Sequence, residues 1–564
     1  MKRTITSIPQ LYRNLRRWTE IVSILSKYGL ADWLSRTNIE FFKDQLAAVE
    51  GQSIARATTN ARIRMALTEL GPTFIKIGQL LSTRADLIGV ELAEELSKLQ
   101  SNAPCDSFDD VRKIVEAELG GPLEERFRAF DETPIASASI GQVHRAVTCD
   151  GDAVVVKVQH VGIESKIETD LDILAGMAQL AERLEDFRNY QPKQLVCEMS
   201  RTMKRELDFD REHRNLLQFR TLFENNQHLC IPRPISSHCS KRVLTMTRLD
   251  GFKISRLDEE HVNVASREAL AHQGARIYLD MIFVHGFYHA DPHPGNIVLM
   301  KDNVIGLLDF GMVGRISEGL REEIEGMLMA IVNHDVQMLV ALVEHVGKCP
   351  ANLDERALSS DIADFVGQYA TQKASDFDVG HALNDFMTIV RNYRITLPSE
   401  VAMLIKVLVT LEGTGRMLTP EFSLMEVMKP HQRLMMLRRL SPVRQMRKAR
   451  RFYMQLEQLA ERMPRRISNI MEQVQSGRFD IHLDHRRLGP TVNRLVLGMI
   501  TSALFMGSSL MLSYKVPPLW FPESGPLGLH DLSLFGLTGC VVSIMIGFRL
   551  LWAIRKSGNL DQSE

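Results

Sequence analysis

Residues 289–311 constrain this chain more than any other stretch. They read His289-Ala290-Asp291-Pro292-His293-Pro294-Gly295-Asn296, then two strand-like apolar runs, Ile297-Val298-Leu299-Met300 and Val304-Ile305-Gly306-Leu307-Leu308, then Asp309-Phe310-Gly311. Asp, Pro, Gly and Asn are ordinary loop residues, so either motif alone would read as turn chemistry. Together, with strands between them, they place Asp291, Asn296 and Asp309 on neighbouring loops. Asn296 and Asp309 offer the hard oxygens that Mg2+ takes, and Asp291 is a carboxylate for the attacking group.

An Asp followed five residues later by an Asn, with Asp-Phe-Gly beyond, is the protein-kinase signature. In that reading Asp291 orients or deprotonates an attacking hydroxyl or water, while Asn296 and Asp309 hold metal. Such a site calls for a phosphate-covering loop and a lysine upstream. Ala136-Ser137-Ala138-Ser139-Ile140-Gly141-Gln142-Val143 fits G-x-G-x-x-G-x-V with its first two glycines replaced by alanine. A Cβ at those places stiffens the loop and changes how closely its backbone approaches phosphate. Ala153-Val154-Val155-Val156-Lys157-Val158 reads as a half-buried strand pointing one cation into a cleft, which makes Lys157 the candidate for the α- and β-phosphates. A lysine so placed needs a carboxylate. The helical stretch Glu198 to Phe219 carries Glu206-Leu207-Asp208-Phe209-Asp210-Arg211-Glu212; residue type alone leaves open which acid pairs with it, or whether the acids are a solvated face.

These motifs, with Lys76-Ile77-Gly78-Gln79 upstream, resemble in type and order the UbiB/AarF family of atypical kinase-like proteins over most of the chain, with no departure at these positions. The apolar carboxy-terminal segments are similar to the bacterial UbiB branch. The resemblance implies an α+β, two-lobed protein-kinase-like fold with a helical N-terminal extension and a C-terminal two-helix transmembrane hairpin. It also implies ATP and Mg2+ as cofactors, a Lys157–Glu212 pair, a Glu206/Asp208 motif that receives Lys76, and a role in ubiquinone biosynthesis.

On its own terms Thr73–Ser82 reads as an amphipathic helix, with Phe74, Ile77, Leu80 and Leu81 apolar and Lys76 and Gln79 sharing a face. The family likeness lays this helix across the site where a peptide substrate docks in an ordinary kinase. After Gly311 the chain runs directly into Met312-Val313-Gly314-Arg315-Ile316-Ser317 and a helix from Glu318, leaving almost no activation segment and no A-P-E. Ala290 stands where H-R-D has arginine, so a phosphorylated loop would lack that partner. His293 replaces the lysine common two residues after the catalytic Asp, as in small-molecule phosphotransferases. A small-molecule, lipid-linked or water acceptor is therefore expected over a protein.

The chain has 564 residues, 24% charged and 45% hydrophobic, with net charge −1, so no global nucleic-acid role is supported. Cys105, Cys149, Cys197, Cys230, Cys239, Cys349 and Cys540 show no C-x-x-C spacing, which suggests neither a zinc site nor a disulfide framework. No h-region follows Met1-Lys2-Arg3, so no cleaved export signal is expected. Charge is uneven: Arg433 to Arg466 holds eleven Lys/Arg against two Glu, with Leu434, Met435, Leu437, Leu440, Phe452, Tyr453, Met454 and Leu456 interspersed. That pattern suits an anionic membrane surface. Leu495 to Tyr514 is twenty residues without a charge, and Leu532 to Phe548, continuing to Ile554, is a second span. Arg486, Arg487, Arg494, Arg549, Arg555 and Lys556 flank the pair, whereas its loop holds Lys515, Glu523 and Asp531; both ends are thus expected in the cytoplasm. Gly539, Ser543 and Gly547 mark a face for packing against the first span or against a second copy, a homodimer.

The expected organisation is a helical extension over 1–130, a small lobe over 131–250 with a hinge at Met246–Gly251, a large lobe over 251–430, a basic linker over 431–490 and the hairpin over 491–556. The leading expectation is a Mg-dependent ATPase or atypical kinase at a bacterial inner membrane, meeting anionic lipid, isoprenoid quinone precursors and other ubiquinone-biosynthesis enzymes. A lipid or small-molecule phosphotransferase and a nucleotide-sensing scaffold without turnover are the alternatives.

Overall fold

In the computed structural model the β-branched run around Lys157 does what its alternation dictates. Strand β4 (Ala153–Gln159) buries Val154, Val156 and Val158 completely on one face and turns Lys157 to the other. The structure describes residues 15–30, 58–99, 104–182, 191–256, 264–350, 352–370, 377–430, 488–520 and 531–556, with isolated residues between 446 and 463. They fall into two units, Met1–Gln445 and Met446–Glu564, described separately.

In the first unit, β1 (Phe127–Phe130), β2 (Ala136–Ser137), β3 (Gly141–Thr148), β4 and β6 (Val243–Thr247) form an antiparallel sheet in the order β1-β3-β4-β6, with β2 on β3. Helix Phe108–Leu119 packs Val111, Ile114 and Val115 against the valine face. Beyond β6 the chain crosses to a second sheet, β5-β10-β9-β7, made of Leu229–Cys230, Ile305–Leu307, Ile297–Leu299 and Phe252–Lys253. Here β5, from within the stretch expected as small lobe, pairs in parallel with β10. A third pair, β8 (Phe287–His289) with β11 (Val313–Arg315), closes the chain directly after the Asp-Phe-Gly. Helices Val264–Leu279, Glu318–Val332, Val336–Val346, Glu355–Ala370, Val379–Asn392 and Ser399–Leu418 build the large lobe.

The extension carries helices Leu15–Lys27, Thr59–Leu70, Pro72–Leu81, Ala85–Ile88 and Val90–Ser97. The Lys76 helix starts where it does because Gly71, at φ +97°, turns the chain and Pro72 follows at the first helical turn. It buries Phe74, Ile75, Ile77 and Leu80. One expectation needs correction. The stretch Glu198 to Phe219 is two helices, Pro192–Glu206 and Phe209–Leu222, broken at Leu207 and Asp208, where Asp208 takes an extended backbone (φ −100°, ψ 93°).

In the second unit, helices Leu488–Ser513 and Leu534–Lys556 pack side by side, joined through a short strand pair, Leu519–Trp520 with Leu532–Ser533. Both are long and apolar enough to cross a membrane, and only 6% and 11% of the two spans is buried, unlike the core helices of a soluble protein. A Cβ on Gly539 would stand 2.1 Å from Ser508 Oγ, so this glycine sets the approach of the helices, whereas one on Gly547 would meet nothing within 4 Å. Ser543 is buried, and the Gly539/Ser543 part of the stripe is therefore the packed part. The basic stretch from Arg433 to Arg466 lies almost wholly outside the described residues.

Candidate active site

Lys157 is the centre of the cleft. Its Nζ lies 2.8 Å from Glu212 Oε2 and 3.4 Å from Asp309 Oδ1. Strand β4 aims the lysine, the first turn of helix Phe209–Leu222 brings Glu212 beneath it, and the loop after β10 supplies Asp309. Glu212 is 4% exposed, and its other oxygen accepts the N–H of Phe310 at 3.2 Å. Asn215, one turn on, donates to Phe310 O at 3.0 Å, so one helix face holds both the lysine and the Asp-Phe-Gly backbone. Burial alone would push Lys157 down, but Asp309 and Glu212 outweigh it and hold the ammonium above its ordinary value. Lys157 in turn, with help from Lys76, holds Asp309 well below the usual carboxylate range. Asp309 also sits at φ +51°, a left-handed conformation that Asp tolerates better than most residues.

The catalytic-loop residues meet as their spacing requires. Asn296 Nδ2 donates to Asp291 Oδ2 at 2.6 Å, which directs its carbonyl oxygen the other way. His289, fully buried, joins this loop to the next. The Asp291 amide and the Tyr278 hydroxyl both donate to Nδ1, at 3.3 and 3.2 Å, so Nε2 carries the proton and donates to the carbonyls of Leu308 and Asp309, each at 2.9 Å. His293 Nδ1 accepts the Gly295 N–H at 3.1 Å and shapes the turn.

A metal ion fits this donor set in part. Asp309 Oδ1 is taken by Lys157 and the Gly311 N–H, leaving Oδ2 on a side chain that is 55% exposed. With the Asn296 carbonyl, that makes two hard oxygens of the kind Mg2+ accepts beside phosphate and water. Among the described residues no group of three or more His, Cys, Asp and Glu gathers to hold a metal unaided.

The alanine-rich loop is a tight hairpin between β2 and β3, closed by Ala138 N–H to Gly141 O at 2.9 Å. A Cβ at Gly141 would lie 2.3 Å from Val158 O, so glycine is obligatory there. Ala136 and Ser137 are strand β2, and Ala138, Ser139 and Ile140 make the turn, with Ser139 and Ile140 buried. Gln142 is spent on the sheet side, where its Oε1 accepts the Asp106 N–H at 2.7 Å, and Val143 pairs across to Lys157 in the strand register.

Lys76 reaches Glu206 Oε2 at 2.6 Å, with both side chains largely buried. Burial pushes Lys76 down, but Glu206 and Asp309 hold it above its ordinary value against Lys157. Asp208, expected to share in receiving Lys76, is paired with Arg214 at 3.7 Å. Gln79 donates to Leu99 O at 3.0 Å and ties its helix to the rest of the extension. Sequence reasoning overlooked Lys406 and Ser82, whose contact is 2.9 Å. The signal was a lone lysine in the apolar run Val401-Ala402-Met403-Leu404-Ile405-Lys406-Val407-Leu408.

A lysine paired to a helix glutamate under a five-stranded sheet, facing an Asp/Asn loop and an Asp-Phe-Gly, defines a protein-kinase-like domain. Helix Glu318–Val332 follows its post-DFG strand with only Ile316 and Ser317 between, which leaves no room for the activation segment of an ordinary protein kinase. The chain belongs to the ABC1/UbiB family of atypical kinase-like proteins. Residues 98–343 match the ABC1 atypical kinase-like domain, 362–423 the UbiB helical domain and 481–556 the ABC1/UbiB kinase-like C-terminal domain. It is 34% identical to a "Probable protein kinase UbiB" of Xanthomonas campestris over 84% of this chain and 88% of that one. A relative of the same description from Xylella fastidiosa is 30% identical over 92% and 98%. An uncharacterized protein from the hydrogenase 1 5' region of Clostridium pasteurianum is 30% identical over 96% and 99%. Among solved structures, the Rv3197–erythromycin complex of Mycobacterium tuberculosis is similar at 23% identity and a TM-score of 0.45, over 64% of this chain and 93% of that one.

Proposed function

We propose that this protein is a membrane-anchored, Mg-dependent ATPase or atypical kinase that supports ubiquinone biosynthesis at the cytoplasmic face of a bacterial inner membrane. The observation that carries the reading is Lys157 held between Glu212 and Asp309 at 2.8 and 3.4 Å. A cation so paired stays charged and aimed for the α- and β-phosphates of ATP. Mg2+, when bound, supplies charge neutralisation for the phosphates, and Asp309 Oδ2 and the Asn296 carbonyl are the oxygens that would hold it. Asp291 would take the proton of the attacking hydroxyl or water. The alanine-rich hairpin would cover the phosphates.

The Lys76 helix favours a small acceptor. Its lysine is latched to Glu206 beside the cleft, on the side where family likeness puts the peptide groove. The two apolar helices support anchoring, and flanking Arg494, Arg549 and Lys556 support a cytoplasmic placement of the first unit. Isoprenoid quinone precursors partition to the same interface, and we place the substrate or effector among them. Anionic lipid would meet the basic stretch, and other ubiquinone-biosynthesis enzymes and a second copy are the proposed protein partners.

The test follows γ-labelled ATP with purified full-length protein in anionic liposomes containing a phenolic isoprenoid lipid, with Asp309→Asn as blank. Label released as inorganic phosphate, rising with the phenolic lipid, supports the ATPase reading. Label in a lipid or protein band that the blank lacks makes the protein a phosphotransferase. Normal quinone synthesis in cells carrying Asp309→Asn refutes the role.

A further inference from the structure

Lys406 is the single charged side chain in an eight-residue apolar stretch of helix Ser399–Leu418, and it is partly buried. That helix lies along the catalytic loop: Thr414 Oγ1 donates to Pro292 O, next to Asp291, at 3.0 Å. Two turns earlier, Lys406 Nζ donates to Ser82 Oγ at 2.9 Å, and the buried Ser82 hydroxyl donates to Gln79 O at 2.7 Å. No other partner of the ammonium occurs among the described residues, so only one of its three donor hydrogens is used. Burial pushes the ammonium down against the pull of Asp291, and Lys76 adds to the push. Withdrawing a cation from water without a contacting carboxylate is costly, and a structure that does so beside a catalytic carboxylate leaves a seat for an anionic ligand.

The chain also lacks a cation where the protein-kinase loop has one. His293 stands at that place, and its Nδ1 is occupied by the Gly295 N–H at 3.1 Å.

We propose that Lys406 supplies this cation: it contacts the transferred phosphoryl group of ATP beside Asp291, and Ser82 aims it. The proposal rests on the ATP reading and deepens it. In the step, the bond between the β,γ-bridging oxygen and the γ-phosphorus breaks, with the electron pair leaving on ADP. The acceptor oxygen, water or a hydroxyl, bonds to that phosphorus, and its proton passes to Asp291. Lys406 remains an ammonium throughout and balances charge on the non-bridging oxygens. Because Ser82 closes the Lys76 helix, the extension shares in the chemistry as well as covering it.

The experiment compares full-length wild type, Lys406→Gln, Lys406→Arg and Ser82→Ala, reading Mg-ATP and Mg-ADP affinity, phosphate release and circular dichroism. Lys406→Gln should keep ADP affinity within about 3-fold while kcat falls on the order of 10²-fold. Any preference for ATP over ADP should vanish with it. Lys406→Arg should recover part of the loss, and Ser82→Ala should lower kcat several-fold with KM little changed. Native-like turnover and ATP preference in Lys406→Gln overturn the proposal while leaving the ATP reading intact. Equal losses of ADP and ATP affinity, unrelieved by arginine, overturn it in favour of a structural prop. Should Lys406→Gln not fold, unchanged kcat in Ser82→Ala overturns it. Wild type that binds neither nucleotide overturns the ATP reading and the proposal together.

Discussion

Cutting the Lys76–Glu206 latch tests whether the helix over the cleft is held by charge. The pair is 2.6 Å long, its side chains are 14% and 7% exposed, and Glu206 Oε1 has no hydrogen-bond partner among the described residues. Lys76→Met keeps the side-chain length and strands the carboxylate. Breaking a buried pair this way costs about 3–5 kcal/mol. Lys76→Met combined with Glu206→Gln removes the stranded charge and should recover roughly 2 kcal/mol of the loss. Hydrogen exchange of the amides in Pro72–Leu81 and Pro192–Glu206, corrected for intrinsic rates, reads these local opening energies without assuming that the whole chain unfolds as one. Single and double variants that protect the two helices equally, within about 0.5 kcal/mol, would refute the reasoning.

Three further outcomes are expected. Asp309→Asn should abolish the Mg2+ dependence of nucleotide binding, seen as an ATP affinity that no longer responds to a Mg2+ titration. Glu412 accepts the Gly380 N–H at 3.0 Å, and burial and Asp378 push its carboxyl up to about 7 against Arg416. A raised carboxyl stabilises the fold below its unfolded value and loses that contribution as pH climbs through about 7. The start of helix Val379–Asn392 should accordingly exchange more readily at pH 8 than at pH 5.5 after intrinsic-rate correction, and Glu412→Gln should remove the difference. Gly539→Val should loosen the apolar hairpin by about 1–3 kcal/mol while Gly547→Val leaves it unchanged, measured as detergent-solubilised melting temperatures.

Much of the cleft is legible because its signals are local. The valines around Lys157 alternate, so the strand and the face of the lysine follow from period two, and β9 and β10 fall within the two apolar runs between the Asp/Asn loop and the Asp-Phe-Gly. The break at Leu207–Asp208 is less legible, because Met203, Leu207 and Phe209 are all buried and apolar spacing runs on across the helix end, with no side-chain cap to mark it. The parallel β5–β10 pairing is two residues long and joins residues 76 apart, which only the assembled lobe decides. Lys406 reaches Ser82 across 324 residues, so its partner has no sequence signature at all.

The His289 ring touches the backbone on both sides of the catalytic centre, with one nitrogen to the Asp291 amide and the other to the carbonyls of Leu308 and Asp309. The two acidic loops are thereby set to one gauge. A displacement started in either loop is passed to the other through a single imidazole. The spacing of Asp291 and Asp309 thus depends on one buried side chain, and a different ring at position 289 would alter it without touching either carboxylate.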